Sequence, residues 1–159
     1  MERLWTPWRK EYVRSAHQGT DACLFCQKPR EEDEESTYVL ARTDRAFAML
    51  NAYPYNPGHL MVAPFRHVGD FEDLEGSELA EGSELLQRAI RALKKGYDPD
   101  GFNMGVNLGR VAGAGVPGHL HWHLVPRWDG DTNFMPMVAD TKVLPELLSD
   151  TYERLRPLI

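Results

Sequence analysis

The stretch GHLHWHLVPRW, Gly118 to Trp128, sets His119, His121 and His123 at alternate positions. On an extended strand successive side chains point to opposite faces, so the three imidazoles share one face at intervals of about 6 to 7 Å, and Leu120, Trp122 and Leu124 share the other. Three readings fit such a face. An H-x-H pair on a strand can ligate zinc. A neutral imidazole can attack phosphorus near neutral pH, with its neighbours orienting it and donating to phosphate oxygens. The third reading, three half-buried histidines without chemistry, sits poorly with their register against an apolar face. Because the large apolar residues belong to the core side, the histidine face is expected to be wholly or partly open.

Two further clusters bear on the choice. The chain has two cysteines, Cys23 and Cys26, in CLFC. One such pair makes no disulfide framework. A thioredoxin-like redox motif should follow a strand and open a helix, whereas DACLFCQKPREEDEES has no apolar strand before it and runs into Pro29 and acidic residues. Half of a zinc site is the preferred reading, with redox or idle cysteines as alternatives, and a four-coordinate structural zinc then needs two more ligands from elsewhere. The second cluster is NLGRVAGAGVPG, directly before the histidines. Its glycines, Gly109, Gly113, Gly115 and Gly118, leave backbone N–H groups accessible to a phosphate, and Arg110 adds positive charge. A plain turn is the alternative.

The elements that must carry these residues read as strands around one long helix. TYVLAR and AFAMLN form two strands joined through TDR, and HLMVAP forms another after the Pro-rich loop AYPYNPG. From Ser77 to about Lys95, Leu79, Leu86, Ile90 and Leu93 recur at helical spacing, with Leu85 and Ala89 widening the stripe. GFNMGVN alternates as a strand, and VLPELLSDTYERL suggests a final helix. The tandem GSEL at Gly76 and Gly82 is too short to be a structural repeat. The run EEDEE, Glu31 to Glu35, reads as a solvated loop. The expected class is α+β, with a mainly antiparallel sheet in one domain spanning 1–159; residues 1–20, with Trp5, Trp8 and Tyr12, form an N-terminal arm, and 129–159 a C-terminal extension.

Composition excludes several functions. The 159 residues carry a formal net charge of −6, which opposes broad nucleic-acid binding, since that relies on a basic field. No apolar run approaches the roughly 20 residues that span a bilayer. The opening MERLWTPWRKEYVRS lacks the pattern of a secretory signal, so a cytoplasmic protein is expected. Local positive charge still allows an anionic small-molecule substrate.

The residues HLHWHLVPRW resemble the H-x-H-x-H motif of the histidine triad family of nucleotide hydrolases and transferases. LNAYPYNPGHLMVAPFRH is similar to that family's strand-loop-strand with Asn and P-G-H, and NLGRVAGAGVPGHLHWH to its phosphate loop. The resemblance runs from about Cys23 to Trp128, and the flanks resemble a narrower bacterial branch associated with diadenosine tetraphosphate phosphorylase activity. It implies a five-stranded, mainly antiparallel sheet with one long helix and a C-terminal helix. It also implies a homodimer in which two sheets join, which the aromatic arm would suit; a tetramer stays open.

Carried over by position, the resemblance makes His121 the nucleophile that forms a covalent nucleotidyl-imidazole, and His123 the group that contacts phosphate and assists the leaving group. It assigns a structural zinc to Cys23, Cys26, His67 and His119, which supplies the two missing ligands. Asn51 and His59 match positions lining the nucleotide pocket, with His59 supporting the triad; Asn107 matches a position near the α-phosphate, and Gly115, Val116 and Pro117 offer it backbone groups. Trp128 would stack on a base or close the pocket, with ordinary packing equally open, and at least one of Tyr53 and Tyr55 is expected to serve packing. The substrate is then a nucleotide or dinucleoside polyphosphate, and the acceptor sets the activity. Orthophosphate gives phosphorolysis of diadenosine tetraphosphate to ATP and ADP; water gives hydrolysis; a phosphoramidate substrate gives an adenosine phosphoramidase. His123 stands where the superfamily's best-known hexose-1-phosphate transferases carry glutamine, which argues against that chemistry. The non-enzyme alternative is a nucleotide-binding regulatory module.

Overall fold

A computed structural model describes residues 23–31, 34–131 and 146–159. The expected N-terminal arm, and residues 132–145 of the expected extension, lie outside them. Among the described residues, a turn of helix, α1 (Leu24–Gln27), leads through a 3-10 turn to α2 (Glu34–Thr37) and then to β1 (Val39–Arg42), β2 (Ala46–Leu50) and β3 (Leu60–Pro64). The long helix α3 (Gly76–Tyr97) follows, then β4 (Gly101–Val106), β5 (Trp122–Arg127) and α4 (Leu148–Leu155). The five strands form one sheet in the order β1-β2-β3-β5-β4, and every neighbouring pair is antiparallel. This is the α+β class expected from the sequence.

Period-two alternation sorts the strands onto two cores. Ala46, Ala48 and Leu50 of β2 face the helices, in a cluster with Leu60, Val62 and Leu124 of the sheet, Leu85, Leu86, Ala89, Ala92 and Leu93 of α3, and Tyr152 and Leu155 of α4. Phe47 and Met49 point the other way, into a second cluster with Met61, Ala63, Cys23, Phe25, Cys26 and Val116. Each fully buried Leu or Phe contributes roughly 1.5–3 kcal/mol relative to exposure. The helix is longer than its apolar stripe predicts because its ends are capped. Glu75 and Glu78 form a capping box, and Asp98, in the left-handed region at φ 48°, closes the other end with its N–H on the Lys94 carbonyl.

Two expectations are corrected here. The acidic run is not all loop: it enters the helical turn α2, which delivers the chain to β1. The histidine strand also starts later than expected. The ladder begins at Trp122, opposite Val62 and Val106. His119 to His121 are outside it because their backbone is engaged by loops: the Leu120 N–H donates to the Val68 carbonyl at 2.7 Å, and the His119 N–H to the Val116 carbonyl at 3.2 Å.

Candidate active site and metal centre

The histidine face lies on the side of the sheet away from α3, and it is not open at its near end. His119 is 0% and His121 4% exposed. The cover is α1: Phe25, itself wholly buried, stacks on His121 with ring centroids 4.6 Å apart and an interplanar angle of 28°. No strand periodicity could foresee this, since the covering residues lie some hundred positions earlier in the chain.

Four of the expected residues converge beneath that cover. One ligand atom from each of Cys23, Cys26, His67 and His119 lies within 4.8 Å of the others. The Cys23 sulfur is 3.4 Å from His119 Nδ1, and the Cys26 sulfur is 3.3 Å from His67 Nδ1 and 3.5 Å from His119 Nδ1. Tetrahedral zinc with Zn–S of about 2.3 Å and Zn–N of about 2.05 Å separates such ligands by about 3.5 Å. The donor set and spacing therefore fit a metal ion. His119 is oriented for it, because Nε2–H donates to the Pro64 carbonyl at 2.8 Å and leaves Nδ1 as the bare nitrogen. Burial pulls His119 down to about 4, so the ring is neutral. Burial, and then the adjacent Cys23, push the Cys26 thiol up to about 11, so two adjoining thiolates need a cation beside them.

Beyond the metal group the tautomers of three histidines can be read from their partners. The His121 Nδ1 is 2.8 Å from the His119 carbonyl, which can only accept, so Nδ1 carries the proton and Nε2 the lone pair. Burial lowers the pKa of His121 and keeps that lone pair available at neutral pH. His59, 1% exposed, accepts the Tyr55 backbone N–H on Nδ1 at 3.0 Å. Its proton is therefore on Nε2, which donates to His123 Nδ1 at 3.0 Å. The N–H of a neutral His123 then sits on Nε2. The His121 and His123 rings meet edge to face at 4.9 Å. A bare imidazole nitrogen beside an imidazole N–H is an arrangement able to pair nucleophilic attack with proton donation.

The remaining expected residues are placed with differing closeness. Asn51 adjoins His59, with Nδ2 at 3.4 Å from its Nε2, and its Oδ1 accepts the Tyr53 N–H at 2.9 Å, which shapes the loop entering β3. Tyr55 stacks on His59 at 4.9 Å, while Tyr53 is 37% exposed. Val116 packs in the Phe25 cluster and supplies the carbonyl that turns the chain into His119, so the Gly115–Pro117 segment abuts the triad. Asn107 directly follows β4 and donates to the Gly113 carbonyl at 3.4 Å, across the glycine loop. Trp128 is not brought to the histidines: it meets Tyr97 of α3 edge-on at 6.3 Å. Reading the sequence missed Phe25, the Tyr55 amide and the Pro64 carbonyl. Only Phe25 left a trace, as the aromatic residue between the two cysteines.

A family model described as the HIT domain matches residues 32–130. The chain is 47% identical over 158 residues to "AP-4-A phosphorylase" of Mycobacterium tuberculosis (strain ATCC 25618 / H37Rv), with 95% of this chain and 80% of that protein covered. It is 34% identical over 93 residues to "Bis(5'-nucleosyl)-tetraphosphatase [asymmetrical]" of Schizosaccharomyces pombe, covering 58% of this chain and 50% of that one. Among solved structures, a zinc-bound histidine triad family protein from Mycobacterium smegmatis superimposes with a TM-score of 0.66 and 25% identity, over 88% of this chain and 94% of that one. With that domain match and the five-stranded antiparallel sheet whose β5 begins directly after His121 and carries His123, this chain belongs to the HIT domain family.

Proposed function

We propose that this chain is an enzyme of nucleotidyl transfer that phosphorolyses diadenosine tetraphosphate to ATP and ADP through an AMP–His121 intermediate. The observation that carries the reading is the paired tautomer assignment, with a bare His121 Nε2 beside His123. His121 Nε2 attacks the α-phosphorus, the N–P bond forms, and the bond from that phosphorus to the bridging oxygen breaks. The His123 Nε2–H donates to the departing oxygen of ATP. Positive charge that develops on His121 is stabilised through Nδ1–H on the His119 carbonyl. Orthophosphate then attacks the histidine-bound AMP from the vacated side, the N–P bond breaks, and ADP leaves. Asn51, with His59, borders the nucleotide, and the Asn107 loop with Gly115, Val116 and Pro117 borders the phosphates. Support for phosphorolysis comes from the 47% identity to the mycobacterial AP-4-A phosphorylase over most of both chains. The yeast tetraphosphatase supports a second reading, hydrolysis to AMP and ATP by the same first step.

In this reading Cys23, Cys26, His67 and His119 hold a structural zinc, which fixes the loops that carry the triad; the zinc-bound mycobacterial structure supports it. A homodimer is supported by the edge strand β4 and the loop after it, where Met104, Leu108 and Val111 are exposed. None of the described helices is long and apolar enough to cross a membrane, and a cytoplasmic location suits a nucleotide substrate.

The test is product analysis by anion-exchange chromatography after incubation with diadenosine tetraphosphate. ADP and ATP formed only with orthophosphate are expected. AMP and ATP formed regardless of orthophosphate would replace phosphorolysis with hydrolysis, and no turnover would contradict both.

A further inference from the structure

The metal group and the triad are joined by one ring. Phe25 sits in α1 between the two cysteines, and its ring lies 5.3 Å from His119 and 4.6 Å from His121. The contact with His121 is face-to-face, and Phe47 of β2 also packs on Phe25, tilted, at 6.4 Å. A second link runs through the backbone. His119 offers Nδ1 to the sulfurs and its carbonyl to His121 Nδ1–H, so one residue serves both groups. His121 rotation about its side-chain bonds is therefore limited by one hydrogen bond and one stacked face, and both limits originate in residues of the metal group or between them.

We infer that Phe25 is a positioning residue which sets the ring plane of His121, and that metal occupancy at Cys23, Cys26, His67 and His119 controls nucleophile alignment through it. The inference rests on His121 being the attacking group. Without the metal, α1 loses the anchor that ties Cys23 and Cys26 to His119, and the Phe25 ring is no longer held against the imidazole. Misplacement of a reacting group by about 1 Å can cost about a hundredfold in rate, so a partial loosening is expected to cost about tenfold. A loosened ring orientation acts on the attacking step and not on substrate binding, so the loss falls on kcat and leaves KM nearly unchanged.

The test uses the zinc-loaded protein and two variants, Phe25→Leu and Phe25→Met, which fill the space without a flat face. Each is assayed for zinc per chain, for steady-state turnover of diadenosine tetraphosphate, and for the His121 ring signals in histidine-selective NMR. The expected result is unchanged zinc, kcat about tenfold lower with KM within twofold, and a shifted, broadened His121 signal. Variants that keep zinc, kcat within twofold and a sharp, unshifted His121 signal overturn the proposal. Should both variants fail to fold or to hold zinc, graded chelation of the wild-type protein decides. Loss of the single His121 ring signal in step with zinc, while circular dichroism still reports the folded chain, supports it. A His121 signal that stays in place in the zinc-free folded protein, or that changes only as the whole chain unfolds, overturns it. Failure of the nucleophile assignment shows separately, as wild-type turnover without covalent AMP on His121.

Discussion

Replacing His59 by alanine should slow the chemistry without abolishing it, and the size of the loss follows from how His59 is held. Its Nδ1 takes the Tyr55 amide and its Nε2–H goes to His123, each at 3.0 Å. The variant deletes the bond that fixes the His123 tautomer and leaves the donor ring itself in place, still edge-on to His121. One neutral hydrogen bond is worth about 1 kcal/mol net, a factor of about five. Complete loss of a positioned proton donor would cost about 10²–10⁴. The expected fall in kcat is therefore about tenfold, near the lower bound, because His123 remains. His59 is 1% exposed, so the variant also leaves the Tyr55 N–H without its acceptor, which should cost about 1–3 kcal/mol of stability. The assay is rapid-quench formation of ATP from diadenosine tetraphosphate, at a temperature where thermal melts show both proteins folded. A change below twofold would refute the relay, and a loss beyond a thousandfold would mean that His59 itself meets the reacting atoms.

Other consequences can be checked alongside. Cys23→Ser should lower zinc from about one per chain; a site held at a hundred times its Kd stabilises by about 2.7 kcal/mol, so melting should fall by about 5–10 °C, and an unchanged melt at unchanged zinc would remove the metal assignment. Asp131 is held below the usual carboxylate range by Arg127 first, with the Trp128 N–H and Asn56 adding to it. Since the folded chain holds that proton less readily than the unfolded one, its stabilisation is complete above the unfolded value of about 3.9 and is lost as pH falls toward the folded value. Asp131→Asn should thus melt lower than wild type at pH 6 and approach it below about pH 3, and a gap independent of pH would contradict the assignment. At Gly82 an added Cβ would lie 3.3 Å from the Trp122 ring, so Gly82→Leu should destabilise by about 1–3 kcal/mol in urea unfolding, where an equally stable variant would refute the packing.

The parts of this fold that were legible in the sequence are those with local causes. Alternation in AFAML places Phe47 and Met49 opposite Ala46, Ala48 and Leu50, and the two buried clusters divide along that line. The 3.6-residue repeat located α3, while its ends at Gly76 and Tyr97 depended on Glu75, Glu78 and Asp98, whose capping roles carry no apolar signal. The histidines were legible as one face, and their burial was not, because Phe25 reaches His121 from some hundred positions earlier in the chain. The ladder position of His119 was lost for the same reason: Val68 and Val116, from loops, take the backbone groups around it. Trp128 read equally as a base-stacking residue or as ordinary packing, and its edge-on contact with Tyr97 of α3 joins residues too far apart in the chain for local pattern to announce. The His59 relay depended on a backbone amide, and a sequence does not say which amide a side chain will meet.

The central claim is that His121 Nε2 carries AMP between two acceptors. Rapid acid-free quenching with diadenosine tetraphosphate in the absence of orthophosphate, followed by peptide mass spectrometry, measures it directly. The account predicts up to one AMP per chain, on His121, discharged as ADP when orthophosphate is added and absent in His121→Ala. A competent wild-type enzyme that carries no AMP on His121 at any time of quench, or covalent AMP on the chain that persists undiminished in His121→Ala, would contradict it.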